Sequence, residues 1–112
     1  MKLTDQDIES KLAGLSGWAV DGAALVRTYT FPTFPDAIAF VTRLAFEAEA
    51  ADHHPDLTVS HRRVRVAWST HSAGGITDKD FELAKKIEEV VLWRPNGGAL
   101  GAGNPKKFVF SK

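Results

Sequence analysis

Alternation of apolar and polar residues first marks a hairpin near the start of the chain. The segment "WAVDGAALVRTYTF" contains Asp21–Gly22, a strong turn signal between two strand-like runs. After this turn Leu25, Tyr29 and Phe31 share one face, and Arg27 interrupts it. The pattern predicts a hairpin whose second strand has one buried face.

A second hairpin is predicted in "LTVSHRRVRVAWSTH". Val64, Val66 and Trp68 alternate with Arg65 and Ala67, which is the period of a half-buried strand. This strand should therefore turn its apolar side toward the core.

Three segments have the 3.6-residue period of helices, and each begins with a Thr-x-x-Asp capping box. The boxes are Thr4–Asp7, Thr33–Asp36 and Thr77–Asp80. In the second helix the spacing predicts a buried stripe of Ile38, Val41, Ala45 and Ala48. In the third it predicts Phe81, Ala84, Ile87 and Val91. The second helix should end near Asp52, because Pro55 disfavours helical geometry at the preceding residue.

The predicted elements follow the order α-β-β-α-β-β-α, which indicates an α+β fold with an antiparallel sheet and helices packed on one face. We expect one domain over residues 1–94. Residues 95–112 are rich in glycine and proline and should form an irregular tail, with a short strand at 108–110.

Composition excludes several classes of function. The chain has no cysteine, so it holds no disulfide and no thiolate metal ligand. Its 14 basic and 14 acidic residues balance, which argues against nucleic acid as the main partner. The first residues are polar and do not resemble a signal peptide or a membrane span. We expect a soluble cytoplasmic protein.

All four histidines lie between residues 53 and 71. Scattered surface positions are the plain interpretation, and a metal site is disfavoured because the spacing offers no helical H-x-x-x-H pair. Acid/base chemistry is the sharper hypothesis, since imidazole both takes and gives protons near neutral pH. Glu49 lies one helical turn before His53 and is placed to orient it. Asp80 has a structural role available as the acid of its capping box.

The ordered motifs "EAADHHPDL", "STH" and "GGITDKDFELAKKI" closely resemble the pterin-4a-carbinolamine dehydratases. The matching residues are an acid, His-His-Pro, Thr-His, a glycine loop and an Asp opening the last helix. The resemblance covers residues 12 to 92.

The resemblance implies a four-stranded antiparallel sheet and a dehydratase that uses no cofactor and no metal. The substrate would be 4a-hydroxytetrahydropterin, the spent cofactor of aromatic amino acid hydroxylases, and the product quinonoid dihydropterin. By position, His53 and His71 correspond to the acid/base pair and His54 to a substrate-binding group. The resemblance also assigns Pro55, Thr70 and Ser72 to the pocket lining, and Glu49 and Asp80 to supporting carboxylates.

The chain departs from many relatives at two positions, where Leu57 and His61 stand in place of aromatic residues. This puts aromatic stacking at the pocket rim in doubt. Relatives also include binding proteins, namely a dimerisation cofactor of a transcription factor and Rubisco assembly factors. Such roles would tolerate loss of the histidines, so their presence favours an enzyme. The family also implies a homodimer or homotetramer, and an aromatic amino acid hydroxylase is a candidate partner.

Overall fold

The order of elements predicted from the sequence is confirmed in a computed structural model, which describes residues 1–92. The helices are α1 (Asp5–Leu12), α2 (Phe34–Ala51) and α3 (Asp78–Leu92), with one 3-10 turn at His71–Ala73. The strands are β1 (Ala19–Asp21), β2 (Ala24–Thr30), β3 (Asp56–Ser60) and β4 (Arg63–Trp68). The tail predicted over 95–112, and its strand at 108–110, lie outside the described residues.

The four strands form one antiparallel sheet in the order β1-β2-β4-β3. Tyr29 lies opposite Val64 and Leu25 lies opposite Trp68, so the buried residues of the two central strands share one face. The helices cover this face, as predicted. None of the helices in residues 1–92 is both long and apolar enough to cross a membrane.

The predicted buried face of α3 is confirmed, but the predicted stripe of α2 is confirmed only at Ala48 and, in part, at Val41. α3 buries Phe81, Ala84, Ile87 and Val91. α2 buries Ala37, Phe40, Leu44 and Ala48, whereas Ile38 is 40% exposed and Ala45 is exposed. α2 carries apolar residues on both sides, so periodicity alone does not fix its rotation. The size of the Phe40 side chain decides this rotation, because its ring centroid lies 5.0 Å from those of both Tyr29 and Phe31.

Of the first two predicted capping boxes, one is complete and one differs from the ideal pattern. Thr4 and Asp7 exchange both bonds of a complete box. Thr33 accepts from the Asp36 backbone N–H at 3.2 Å, but its own hydroxyl donates to the Asp36 carboxylate at 2.8 Å. Each of these helices therefore begins where the sequence indicates.

Arg27, which interrupts the apolar face of β2, is buried against α3. Its guanidinium forms an ion pair with Glu88, and its carbon Cζ lies 4.5 Å from the Tyr29 ring centroid. The same Glu88 oxygen accepts hydrogen bonds from the Tyr29 hydroxyl and, at 3.0 Å, from the Trp18 indole N–H. Burial and the bond to Glu88 raise the pKa of Tyr29, so it remains a protonated donor. This Glu88 cluster fastens α3 to β2.

Gly17 is required by the same cluster. Its φ is +91°, which favours glycine, and a Cβ there would lie 2.9 Å from Arg27 Cζ. Position 17 in the turn before β1 therefore has to lack a side chain, so that the Arg27 guanidinium can reach Glu88.

Replacing Glu88 by alanine should lower the free energy of unfolding by about 3 kcal/mol, because it leaves the buried Arg27 charge unpaired. Urea denaturation followed by circular dichroism measures this loss. The matched control is Glu89→Ala on the exposed side of α3, which should change the same free energy by less than about 0.5 kcal/mol. Equal losses in the two variants would contradict a structural role for the Glu88 cluster.

Candidate active site

The two adjacent histidines separate because α2 ends in a left-handed residue. Asp52 has φ 51° and ψ 43°, a conformation that aspartate tolerates better than most residues. The His53 backbone N–H still bonds to the Ala48 carbonyl at 3.1 Å. After this turn the His53 side chain is only 12% exposed, whereas that of His54 is 57% exposed. The two neighbouring histidines thus have different surroundings.

His53 is held on two sides. Its Nε2 lies 2.6 Å from Asp80 Oδ1. Its ring is parallel to the Trp68 ring, with an interplanar angle of 5° and 5.8 Å between centroids. The sequence pattern predicts a buried Trp68 but does not indicate this contact. Only the alternation of β4 pointed to it, by putting Trp68 on the helix-covered face.

Asp80 connects His53 to the end of β4. Its carboxylate is fully buried. Oδ2 accepts from the Thr77 backbone N–H at 2.9 Å and from the Thr70 hydroxyl at 2.8 Å, while Oδ1 meets His53. The capping role of Asp80 and its supporting role are therefore compatible, because each uses a different oxygen.

Thr77 completes this arrangement, although its sequence motif predicts only a capping role. Its hydroxyl lies 2.8 Å from the Thr70 hydroxyl. The two threonines thus bond to each other beside Asp80. The Thr-x-x-Asp motif identified Thr77 as a cap, but nothing in it indicated a contact with β4.

Glu49 contacts His54 rather than His53. Its Oε1 lies 2.8 Å from His54 Nε2, and both side chains are exposed. The spacing of one helical turn predicts a contact of Glu49 with His53, and this prediction is wrong. Helical spacing does not apply beyond α2, because Asp52 is left-handed. His54, and not His53, therefore contacts Glu49.

His71 and Ser72 are exposed on the 3-10 turn that follows β4. The backbones of Thr70 and Gly75 bond to each other in both directions, at 2.9 and 3.4 Å, and close the base of this loop. Within residues 1–92 the His71 ring has no hydrogen-bond or ion-pair partner. Because Thr70 bonds to Asp80, the loop that carries His71 starts beside the group that holds His53.

Pro55 lies next to the same end of the sheet. Asp56, the first residue of β3, is opposite Ala67 near the end of β4. His53, His54, Pro55, Thr70, His71 and Ser72 therefore come from two chain segments that meet at one end of the β3–β4 pair. His61 is at the other end, in the β3–β4 turn, where its ring stacks on Phe34 with 6.5 Å between centroids. It is not part of this site.

Residues 1–92 contain no group of three or more His, Asp or Glu side chains placed to hold a metal ion. The two carboxylate oxygens of Asp80 already accept from Thr70 and Thr77 and contact His53. Metal-independent chemistry stays a prediction of the sequence. The arrangement offers instead a largely buried imidazole, held by the Asp80 carboxylate and the Trp68 ring, next to the start of the loop that carries the exposed His71.

Replacing Asp80 by alanine should lower the free energy of unfolding by about 3 kcal/mol, since three donors lose their buried acceptor. Denaturant titration measures the change. Asp78→Ala is the control, because this exposed neighbour only pairs with Lys11 at the surface; its loss should be under about 1 kcal/mol. A similar small loss for Asp80→Ala would show that the buried carboxylate does not hold the site together.

Comparisons with known proteins identify the family. The family model described as Pterin 4 alpha carbinolamine dehydratase matches residues 1–90. A protein of Roseiflexus castenholzii, provisionally named a pterin-4-alpha-carbinolamine dehydratase, is 49% identical over 89 residues, covering 80% of this chain and 96% of its own. One of the same provisional name from Thermosynechococcus vestitus is 50% identical over 91 residues, covering 81% and 96%.

Solved structures agree with this assignment. The crystal structure of a transcriptional coactivator/pterin dehydratase from Brucella melitensis is similar at a TM-score of 0.76 and 36% identity, covering 80% of this chain and 98% of that one. A pterin dehydratase-like RuBisCO assembly factor of the alpha-carboxysome shares the fold, at a TM-score of 0.54 and 16% identity over 65% and 84%. The chain belongs to the pterin-4-alpha-carbinolamine dehydratase family.

Proposed function

We propose that this protein removes water from 4a-hydroxytetrahydropterin and releases quinonoid dihydropterin, so that the spent cofactor of an aromatic amino acid hydroxylase is recycled. The observation that carries the proposal is the carboxylate of Asp80, which bonds to both His53 and Thr70. The Asp80 carboxylate thus holds the His53 imidazole beside the loop that carries His71. Family membership supplies the substrate class.

The reaction needs two proton transfers and no electron transfer. The hydroxyl on C4a must gain a proton to leave as water, and N5 must lose one as the new double bond forms to C4a. Two positioned imidazoles meet both needs, since imidazole donates and accepts protons near neutral pH. In this proposal His53 and His71 transfer the protons.

The contacts of His53 favour one tautomer. An ionised Asp80 can only accept, so His53 donates from Nε2 and carries its proton there. Its Nδ1 is then the nitrogen available to exchange a proton with substrate. The stacked Trp68 ring keeps the imidazole from rotating out of this orientation.

His54 suits binding better than chemistry. Its ring is exposed and bonded to the exposed Glu49, so it offers polar recognition at the surface of the site. Pro55, Thr70 and Ser72 would line the pocket. The non-enzymatic alternative, a binding or assembly protein of the same fold, would tolerate loss of the histidines, so the presence of His53, His54 and His71 favours an enzyme.

Histidine substitutions test the proposal in a stopped-flow dehydration assay on both stereoisomers of the substrate. His53→Ala and His71→Ala should each lower kcat by about 10²-fold on at least one isomer with little change in KM. His54→Ala should instead raise KM up to about tenfold, because it removes binding shared by ground and transition states. The double variant of His53 and His71 should fall close to the uncatalysed rate.

The control for this series is His61→Ala, because His61 lies at the far end of the β3–β4 pair. It should keep wild-type kcat and KM. A folded double variant of His53 and His71 that turns over like the control would contradict the proposed chemistry.

We also propose that the protein is a homodimer or homotetramer. The outer strands β1 and β3 leave backbone groups free for pairing with a second copy. α2 adds apolar surface, because Phe34, Ile38 and Phe46 are 48%, 40% and 71% exposed. Multi-angle light scattering at micromolar concentration should give two or four chains per particle, and a monomer mass would contradict this.

A further inference from the structure

The residues before α1 lie against the segment that follows His71. The Leu3 backbone N–H donates to the Ile76 carbonyl at 2.8 Å. The Lys2 side chain lies over Gly75, where an added Cβ would be 2.9 Å from Lys2 Cδ and 3.1 Å from Cγ. Lys2 and Leu3 together, here called the strap, thus cross the outside of Gly75 and Ile76.

The strap itself is anchored by α1. Thr4 and Asp7 close a complete capping box directly after Leu3. The Leu3 side chain is half-buried and packs against the core, as do Ile8 and Leu12. Lys11 at the other end of α1 pairs with Asp78 at 3.0 Å at the surface, which adds a weak link to the first turn of α3. The strap therefore has a fixed origin on the body of the protein.

From the strap, an unbroken set of contacts leads into the candidate site. Gly75 exchanges two backbone hydrogen bonds with Thr70, and these close the loop formed by residues 70–75. The Thr70 hydroxyl bonds to Asp80, and Asp80 bonds to His53. The strap thus contacts the end of this loop at Gly75, while Asp80 contacts its start at Thr70.

We infer that the strap is a positioning device for His71, with Lys2 and Leu3 as positioning residues that touch no substrate. The exposed His71 ring has no partner of its own among residues 1–92, so its place depends on how firmly the backbone of the loop is held. An acid/base group displaced by about 1 Å loses much of its effect on the transition state. The inference rests on the proposed function for its kinetic consequence, but not for its effect on the loop.

The contact between Lys2 and Gly75 can be broken from either side. The φ of Gly75 is not in the left-handed region, so alanine fits the backbone there and acts only by pushing the Lys2 side chain away. Lys2→Ala removes the same contact from the other partner. If the two changes act through this one contact, the double variant should be no worse than either single variant.

Leu3→Pro breaks the other half of the strap. Proline has no backbone N–H, so the Ile76 carbonyl loses its donor while an apolar side chain is kept. The matched control is Gly14→Ala at the end of α1. A Cβ there makes only an ordinary contact of 3.7 Å with the Lys11 carbonyl and does not approach the loop.

Amide hydrogen exchange in the wild-type protein and these variants tests the hold on the loop directly. Leu3→Pro should speed exchange at the Thr70 and Gly75 amides by about threefold to tenfold, the range for one lost hydrogen bond. Lys2→Ala, Gly75→Ala and their double variant should show a smaller and mutually equal increase. Gly14→Ala should leave these amides unchanged.

Dehydration kinetics then test the link to His71. Leu3→Pro should lower kcat by about threefold to tenfold and raise KM by a smaller factor, because Thr70 and Ser72 share the loop, whereas His54, the proposed binding group, is bonded to Glu49 and not to the strap. Because unfolded enzyme also lowers the apparent kcat at constant KM, kcat is expressed per folded molecule, with the folded fraction measured by circular dichroism. Wild-type kcat in a variant whose loop exchanges faster would overturn the positioning role.

Two results separate this inference from the proposed function. Unchanged exchange at Thr70 and Gly75 in folded Leu3→Pro would overturn the strap even if the protein is a dehydratase. Faster exchange in a protein with no dehydratase activity would support the strap's hold on the loop and count against the proposed function. If Leu3→Pro does not fold, the Lys2 and Gly75 variants decide the matter, and additive effects in that pair would overturn the inference.

Discussion

A buried carboxylate without partners would be costly, and the candidate site depends on how Asp80 avoids that cost. Its two oxygens meet the Thr77 backbone, the Thr70 hydroxyl and the His53 ring. These groups belong to the start of α3, the segment after β4 and the segment after α2. Satisfying one charge therefore fixes three parts of the chain relative to one another, and the proposed catalytic groups lie on two of them.

A second carboxylate on α3 has the same kind of role. Glu88 is two turns after Asp80, about 12 Å along the helix axis, and accepts from Trp18, Arg27 and Tyr29. Both acids lie on the side of α3 that also buries Ala84 and Ile87. Polar contacts near both ends of the buried face thus fix the rotation of α3, which apolar packing alone leaves less strictly defined. This rotation in turn sets where Asp80 meets His53.

Features of the fold that depend on neighbouring residues could be predicted from the sequence. Capping motifs gave the start of each helix, and alternation gave the buried side of β4. The phase of α2 could not be predicted, because apolar residues occur on both of its sides and only the bulk of Phe40 and Leu44 decides. The pairing of Glu49 with His54 depends on one left-handed residue, Asp52, whose conformation carries no strong signal.

Contacts between residues distant in sequence could not be read from patterns at all. Arg27 interrupted a predicted apolar face, and its partner is 61 positions away. The stacking of Trp68 on His53 and the strap over Gly75 likewise join separate segments. Family resemblance named the histidines, but the contacts that distinguish His53 from His54 became visible only in the fold.

The most direct test of the account is whether one pterin contacts both His53 and His71. Nitrogen-15 NMR of the imidazole rings, recorded while a dihydropterin is titrated into the protein, follows all four histidines at once. The account predicts that the His53 and His71 signals shift along one saturation curve, at one ligand per chain, while His61 stays unchanged. A saturating ligand that moves His61, or that leaves His53 or His71 unmoved, would contradict a shared pterin site.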